Sequence, residues 1–195
     1  NDYLKERLVN ITLGLSHKIP DHISFNSTYL NSSYDEDMQE HNQANAYVLN
    51  ADSTQNNSRV MMQAMIRKRH FRNNSFNNYL NFNFNTGRAR HTLLVGWDYF
   101  QTDLLPGTSS MTAKGYLLKN GKTTTRFDKR KINNYVLDAD GNPKTNVPYF
   151  DLNSTTGNGM KDISKYVFTT DAINPYRQYS HGIYVQEQLK YGLFQ

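Results

Sequence analysis

The stretch that decides the fold runs from Phe76 to Asp103 and reads FNNYLNFNFNTGRARHTLLVGWDYFQTD. Apolar and polar residues alternate over 80–85 in its first arm, and a second alternation covers 89–100. A period of two predicts β-strands, because successive side chains of a strand point to opposite faces. The connection 86–88 is short, and Gly87 can adopt the positive φ of a tight turn. We therefore predict a β-hairpin with one apolar face and one largely polar face.

The composition leaves two classes of all-β protein open. The chain has 195 residues, of which only 37% are hydrophobic, and no apolar run approaches the roughly 20 residues of a transmembrane helix. A transmembrane barrel remains compatible, because half of each strand faces water. The 14 Tyr and 10 Phe suit the aromatic girdles of a barrel, and they also suit soluble strands. The absence of Cys favours a bacterial origin over a secreted eukaryotic one.

Charges and motifs argue against an enzyme or a nucleic-acid partner. The net charge is +5, and the basic residues are dispersed apart from Arg67–Arg69 and Lys129–Lys131, which we interpret as solvated faces. The chain has no phosphate loop, no GxSxG and no Cys nucleophile, and its six His lack zinc-site spacing. His91 and Asp98 lie on opposite faces of their strand by parity, so they do not form a catalytic pair. We predict no catalytic residue, metal site or cofactor.

The same alternation places seven strands that pair in sequence order and antiparallel. Their approximate ranges are 6–17, 22–34, 44–51, 58–70, 76–85, 89–103 and 179–192. The polar DEDMQEHNQ at 35–43 is predicted to be a surface loop, and FRNNS at 71–75 a short connection.

The remaining connections differ in length. KIPD (18–21), DSTQNN (52–57) and TGR (86–88) are short, and we expect them on one rim. Residues 104–178 are predicted to be a long extracellular loop with local hairpins around Asn120-Gly121 and Asp140-Gly141. Alternating short and long connections favour a barrel over a Greek-key sandwich. Both ends of the sequence look cut, so we expect 1–195 to be a segment of a larger protein.

Two motifs in this order resemble a known family. HTLLVGWD at 91–98 and HGIYVQEQLKYG at 181–192 are separated by one long segment with Asn174-Pro175-Tyr176 near its end. They resemble barrel strands of TonB-dependent outer-membrane receptors, specifically the ferrichrome-type siderophore receptors. The resemblance is good over 59–105 and 176–192 and weaker over 1–58. The plug domain of that family and its TonB-contacting segment are absent from the sequence.

The resemblance implies an all-β fold, an antiparallel meander that is part of a transmembrane barrel in the outer membrane of a Gram-negative bacterium. It implies import of an iron–siderophore complex, energised by TonB through the missing N-terminal part, with outer-membrane lipid around the barrel. Two alternatives stay open. A receptor of the same family could import a carbohydrate or a vitamin, and a soluble, secreted β-sandwich could serve binding or adhesion.

Candidate ligand contacts lie near the end of the long segment. They are aromatic or basic: Tyr149, Phe150, Tyr176, Arg177 and Tyr179. Ferric siderophores are amphipathic and often anionic, so aromatic faces and guanidinium donors can hold them without touching the metal. The alternative is that these side chains only pack the loop.

Overall fold

The computed structural model describes residues 2–19, 22–154, 156–159 and 162–192 and is all-β. Five long strands form the body of one antiparallel sheet in the order β1-β2-β3-β4-β10. Their bounds are β1 Tyr3–Ile19, β2 Ile23–Leu49, β3 Gln55–Thr86, β4 Ala89–Leu104 and β10 Tyr176–Tyr191. The five long strands pair antiparallel in sequence order, and β1 and β10 are the two ends of that order. The predicted number of seven strands is wrong, because 22–34 and 44–51 both lie in β2, and 58–70 and 76–85 both lie in β3.

Five short strands lie between β4 and β10. Their bounds are β5 Ser109–Ala113, β6 Tyr116–Leu117, β7 Thr123–Thr124, β8 Phe150–Asp151 and β9 Thr169–Asp171. Short 3-10 helices cover Lys129–Asn134 and Ile163–Lys165. No helix in the described residues has the length and apolarity of a membrane span.

The loop predicted at 35–43 is wrong, because those residues lie inside the 27-residue β2. Two of their acidic side chains have hydrogen-bond partners on other strands. Glu36, which is 6% exposed, receives two hydrogen bonds from the Arg67 guanidinium, at 2.6 and 3.2 Å. The Tyr3 hydroxyl donates to Asp37 at 3.1 Å. A strand tolerates buried charge where such cross-strand partners exist.

The connection predicted at 71–75 is also strand, inside the 32-residue β3. Asn74 accepts hydrogen bonds from Tyr29 at 2.9 Å and from Asn31 at 2.8 Å. Asn73 accepts one from Thr102 at 2.6 Å. These side-chain hydrogen bonds link β3 to its neighbouring strands over 71–75, where the sequence has no alternating apolar residues.

Because β2 and β3 are each longer than predicted, the short turns do not all lie at the same end of the sheet. The Asn83 N–H donates to the His22 carbonyl at 2.7 Å, so β2 begins beside the end of β3 and near the TGR turn. Pro20 and Asp21 of KIPD lie outside the described residues. DSTQNN joins the other ends of β2 and β3, so the prediction of one shared rim is wrong for that turn.

The segment predicted as a long loop at 104–178 contains five short strands and two 3-10 helices, and its first and last residues belong to β4 and β10. The hairpin around Asn120-Gly121 is confirmed, since β6 pairs with β7 and Gly121 has φ +78°. At Asp140-Gly141 the turn is closed by a bridge between Leu137 and Pro143. Strand β8 pairs with β3 at Val60, and β5 pairs with β3 from Ala64 to Lys68.

The two ends of this segment are clamped together. Strand β5 pairs with β9, with Ser110 opposite Asp171. The hydroxyls of Ser110 and Thr112 both donate to the Asp171 carboxylate, at 3.2 and 3.3 Å. The insertion between β4 and β10 is therefore closed near its own base by three paired residues and two side-chain hydrogen bonds.

The chain divides into two compact units. The loop unit comprises residues 2–5, 36–68 and 108–173. The sheet unit comprises residues 6–35, 69–107 and 174–192. The core of the loop unit contains Val48, Met61, Tyr116 and Tyr135, with a second cluster of Ala64, Ala113 and Val147.

A glycine in the sheet unit makes room for an aromatic ring. Gly96 lies opposite Tyr184 of β10. A Cβ at position 96 would stand 2.1 Å from the Cζ atom of Tyr184, so the ring occupies the space that a side chain would fill. The Tyr184 hydroxyl accepts a hydrogen bond from Asn77 at 3.3 Å. This packing ties β10 to β4 in one register.

We expect Gly96→Ala to lower the free energy of unfolding by about 1–3 kcal/mol, because the new methyl displaces the Tyr184 ring. Gly14→Ala is the matched control, since nothing lies within 4 Å of a Cβ at that position in β1. The control should leave stability unchanged or raise it by about 0.5–1 kcal/mol. Urea unfolding of the purified chain, followed by circular dichroism, measures both. Equal stability of the two variants would show that the ring does not need this space.

Candidate functional site

The first candidate site is the apolar face of the sheet unit. The register places Leu80 opposite Val95, and Val95 opposite Val185. Four further apolar residues lie on this face in the same register: Phe82, Phe84, Leu93 and Ile183. Ile183 and Val185 are 81% and 66% exposed. The prediction of one shared apolar face is confirmed.

Aromatic rings form a belt along one margin of this face, across β2, β3, β4 and β10. Their centroid distances are 4.6 Å for Tyr29–Phe76, 6.2 Å for Phe76–Tyr99, 5.1 Å for Tyr99–His181 and 5.9 Å for Trp97–His181. At the other margin Phe84 stacks on His91 at 4.6 Å. The nine residues from His91 to Tyr99 separate the two margins along β4. A tilted strand of about 9–11 residues crosses a bilayer core.

A polar row follows the aromatic belt on the same face. The Arg177 guanidinium donates to both oxygens of Asp103, at 2.8 and 3.1 Å. Gln101 donates to Asp103 at 2.9 Å and accepts from the Tyr99 hydroxyl at 2.5 Å. The order along the face is therefore aliphatic, aromatic, and then charged.

The opposite face of the sheet unit is a network of polar side chains. Asn77 donates to Asp98, and Thr92 donates to Asn83 at 3.0 Å. Asn81 donates to Ser24 at 3.3 Å. Asn81 and Asn83 thus lie on the polar face predicted for the hairpin, and Asp98 belongs to a hydrogen-bond network away from the apolar face.

The second candidate site is a pair of cavities in the loop unit, of about 440 and 170 Å³. Pro148, Tyr149 and Tyr166 line both of them. The larger cavity adds charges of both signs: Asp138, Asp162, Lys144 and Lys165. Its volume is in the range of small-molecule sites, and the mixture of rings with ionic groups suits an amphipathic ligand.

Arg59 fixes the ring of Tyr149. Its guanidinium carbon lies 4.7 Å from the ring centroid, and its nitrogens lie 3.8 Å from Asp138 and 3.4 Å from Asp140. The cation holds one face of the ring and the acidic turn in place. Tyr149 is thus positioned beside the cavities by three residues from two distant parts of the sequence.

A buried histidine lines the smaller cavity. The side chain of His41 is 2% exposed, and its Nδ1 atom lies 2.7 Å from the Asp2 carboxylate. Its Nε2 atom lies 3.3 Å from the Tyr166 hydroxyl. Asp2 also accepts from the His41 backbone N–H at 2.9 Å. His41 and Tyr166 present a hydrogen-bonding edge to an otherwise largely apolar space, and Asp2 holds the imidazole of His41 in place.

The predicted ligand contacts fall into the two units. Tyr149 and Phe150 lie in the loop unit and line the smaller cavity. Tyr176, Arg177 and Tyr179 begin β10 in the sheet unit. The register places Tyr176 on the polar face. It places Arg177 and Tyr179 on the apolar face, where Arg177 is already paired with Asp103.

Sequence reasoning missed Arg59, His41, Pro148 and Tyr166. Arg59 lies 81 residues from Asp140, and His41 lies 125 residues from Tyr166. No local pattern marks contacts over such separations. The one sequence feature that could have drawn attention to His41 is the polar stretch 35–43, in which it lies.

Tyr116 makes the stability of the loop unit depend on pH. It is 2% exposed, its hydroxyl accepts from the Leu49 N–H at 3.1 Å, and burial raises the pKa of its phenol above 10. The stability from burying the neutral phenol is complete below the unfolded pKa of about 10 and is lost as the pH rises through the higher folded pKa.

We expect wild type to lose more unfolding free energy between pH 9 and 11 than Tyr116→Phe, which cannot ionise. Urea unfolding at a series of pH values measures this difference, and Tyr47→Phe, which alters a half-exposed ring, is the control. Parallel pH profiles for wild type and Tyr116→Phe would contradict the assignment.

Comparison with known proteins adds no relative: no protein-family model matches the chain, and no curated protein has significant similarity to it.

Proposed function

We propose that this chain is a segment of an outer-membrane β-barrel of the TonB-dependent receptor type that captures and imports an iron–siderophore complex. The carrying observation is the order of side chains on the apolar face: aliphatic residues, then the aromatic belt, then the Asp103–Arg177 pair. Bilayers present hydrocarbon, interface and headgroup in that sequence, and barrel exteriors follow it.

The edges of the sheet support a larger closed structure. In the described residues β1 and β10 each pair on one side only, although they are 17 and 16 residues long. Leu13 and Leu15 on β1 are 62% and 60% exposed. Long unpaired apolar edges are aggregation-prone, and barrel closure removes them. Further barrel strands are the natural partners of both edges.

The pairing of the two motifs supports the receptor type. The first motif lies on β4 and the second on β10, and they are adjacent: Gly182 is opposite Asp98, and Tyr184 is opposite Gly96. The ring of the second motif thus fills the space left by the glycine of the first. The two motifs, which are separate in the sequence, therefore lie on neighbouring strands and pack against each other.

The ligand in this proposal binds beside Tyr149 and Tyr166. Aromatic faces and balanced charges around a cavity of about 440 Å³ suit an amphipathic metal complex. Arg177 and Tyr179 drop out as ligand contacts, because they share the apolar face that the proposal turns toward lipid. A carbohydrate or vitamin remains the alternative cargo.

A soluble β-sandwich needs a second sheet over the apolar face. In the part of the chain that the structure describes, Ile183 and Val185 are mostly exposed, so that cover is missing there. The observation favours the barrel over the sandwich.

Charge on the two faces of β10 tests the barrel. We expect Val185→Arg, introduced into the complete receptor, to lower the yield of folded protein in lipid vesicles, because a cation near the bilayer midplane costs about 2–4 kcal/mol. The adjacent Gln186→Arg places the same side chain on the opposite face and should fold like wild type. The measurement is the fraction protected from protease after insertion. Equal yields for the two variants would contradict a lipid-facing surface.

Ring removal tests the ligand site. We expect Tyr149→Ala to weaken binding of a ferric trihydroxamate about 5- to 150-fold, since an aromatic contact and its positioning are worth about 1–3 kcal/mol. Tyr47→Ala is the matched control, because Tyr47 belongs to the loop unit and lines neither cavity. Isothermal titration calorimetry on the purified chain in detergent gives both affinities. An unchanged affinity of Tyr149→Ala would show that the ligand does not bind beside Tyr149.

A further inference from the structure

The positive charge of the chain is concentrated in one short segment. Residues 119–131 contain six basic side chains and one acidic one, a net charge of +5. The whole chain also has a net charge of +5, so the remaining residues balance with 16 basic and 16 acidic side chains. Within this segment the sequence analysis singled out Lys129–Lys131 as a cluster. The fold adds basic residues from the β6–β7 hairpin.

Three of these cations line one cavity of about 650 Å³ in the loop unit. They are Lys119, Arg126 and Lys131. In the described part of the chain, no ion pair joins any of them to a carboxylate. Neutral hydrogen-bonding side chains complete the lining: Asn120, Asn133, Asn134 and Thr124. This combination of cations with amide and hydroxyl donors is what a multiply charged anion requires.

The single acid of the lining is already neutralised. Asp128 accepts from the Arg130 guanidinium at 3.0 and 3.2 Å and from the Arg130 backbone N–H at 3.1 Å. The side-chain hydrogen bond from Arg130 holds the pKa of this carboxyl below its usual range. Arg130 does not line the cavity, so the main compensation of Asp128 comes from outside the lining, with a smaller electrostatic contribution from Lys131.

Backbone hydrogen bonds hold the cavity walls. The Lys119 N–H donates to the Asn134 carbonyl at 2.9 Å, which joins the hairpin to the 3-10 helix at Lys129–Asn134. The Tyr135 hydroxyl donates to the Arg126 carbonyl at 3.2 Å and accepts from the Asp128 N–H at 3.1 Å. Tyr135 is 4% exposed, so this junction belongs to the core. The frame is preorganised although the cations are exposed.

We infer that Lys119, Arg126 and Lys131 form a binding site for a compact polyanion that carries two or more carboxylate or phosphate groups. The site lies within the loop unit and does not depend on the proposed receptor function. The anion can come from a free small molecule or from a lipid headgroup, and the experiment separates these sources.

The test uses the full chain in an uncharged detergent, with citrate and pyrophosphate as probes and calorimetry as the measurement. We expect wild type to bind at least one probe at 50 mM NaCl and more weakly at 500 mM. The triple variant Lys119→Gln/Arg126→Gln/Lys131→Gln should lose at least about tenfold in affinity. The single variant Lys131→Gln should show a smaller loss.

The matched control is Lys114→Gln/Lys122→Gln/Lys129→Gln, which removes the same charge from residues outside the lining. It should stay within about threefold of wild type, since only long-range attraction changes. Equal losses of affinity in the two triple variants would show that the probes respond only to long-range attraction by the basic segment, and this result would overturn the inference. Circular dichroism confirms that each variant is folded.

Vesicles with and without an anionic headgroup identify the source of the anion. If wild type binds anionic vesicles but neither free probe, and the triple variant Lys119→Gln/Arg126→Gln/Lys131→Gln does not bind these vesicles, the anion is a lipid headgroup. Binding of neither the free probes nor the vesicles by wild type would refute the site.

Discussion

The register of β4 against its two neighbours is the constraint on which the sheet depends. Every residue from Ala89 to Leu104 has a partner on β3 and another on β10. A slip by one residue would move the aliphatic row to the polar face and separate Tyr184 from the space at Gly96. Side-chain parity and one close aromatic contact therefore fix the same alignment, and they place the apolar band, the aromatic belt and the Asp103–Arg177 pair on a single surface.

Local alternation made the central part of this surface predictable. Strands β3 and β4 around Gly87 show a period of two, and their faces follow from parity alone. Strand continuity through 35–43 and 71–75 was not predictable, because its physical cause is non-local. Glu36 is tolerated in a strand by Arg67, which lies 31 residues away, and the sequence between them carries no sign of that pairing.

The candidate sites were predictable only in part for the same reason. Aromatic character identified Tyr149, but its position beside the cavities depends on Arg59 and on the turn at Asp138. Arg177 looked like a free cation until the register placed Asp103 opposite it. The basic cavity was hidden because its cations come from both the hairpin and the 3-10 helix, which meet through the hydrogen bond between Lys119 and Asn134.

The clamp between β5 and β9 has a consequence for folding kinetics. Residues 105–175 separate β4 from β10, a closure of 71 residues that would slow the docking of β10. Once Ser110 pairs with Asp171, only about nine residues remain free between the two long strands. Since each doubling of a flexible loop costs roughly 0.6 kcal/mol, the clamp lowers the closure cost by roughly 2 kcal/mol. If the insertion folds first, it brings the start of β10 close to the end of β4 and so favours the pairing of these two strands.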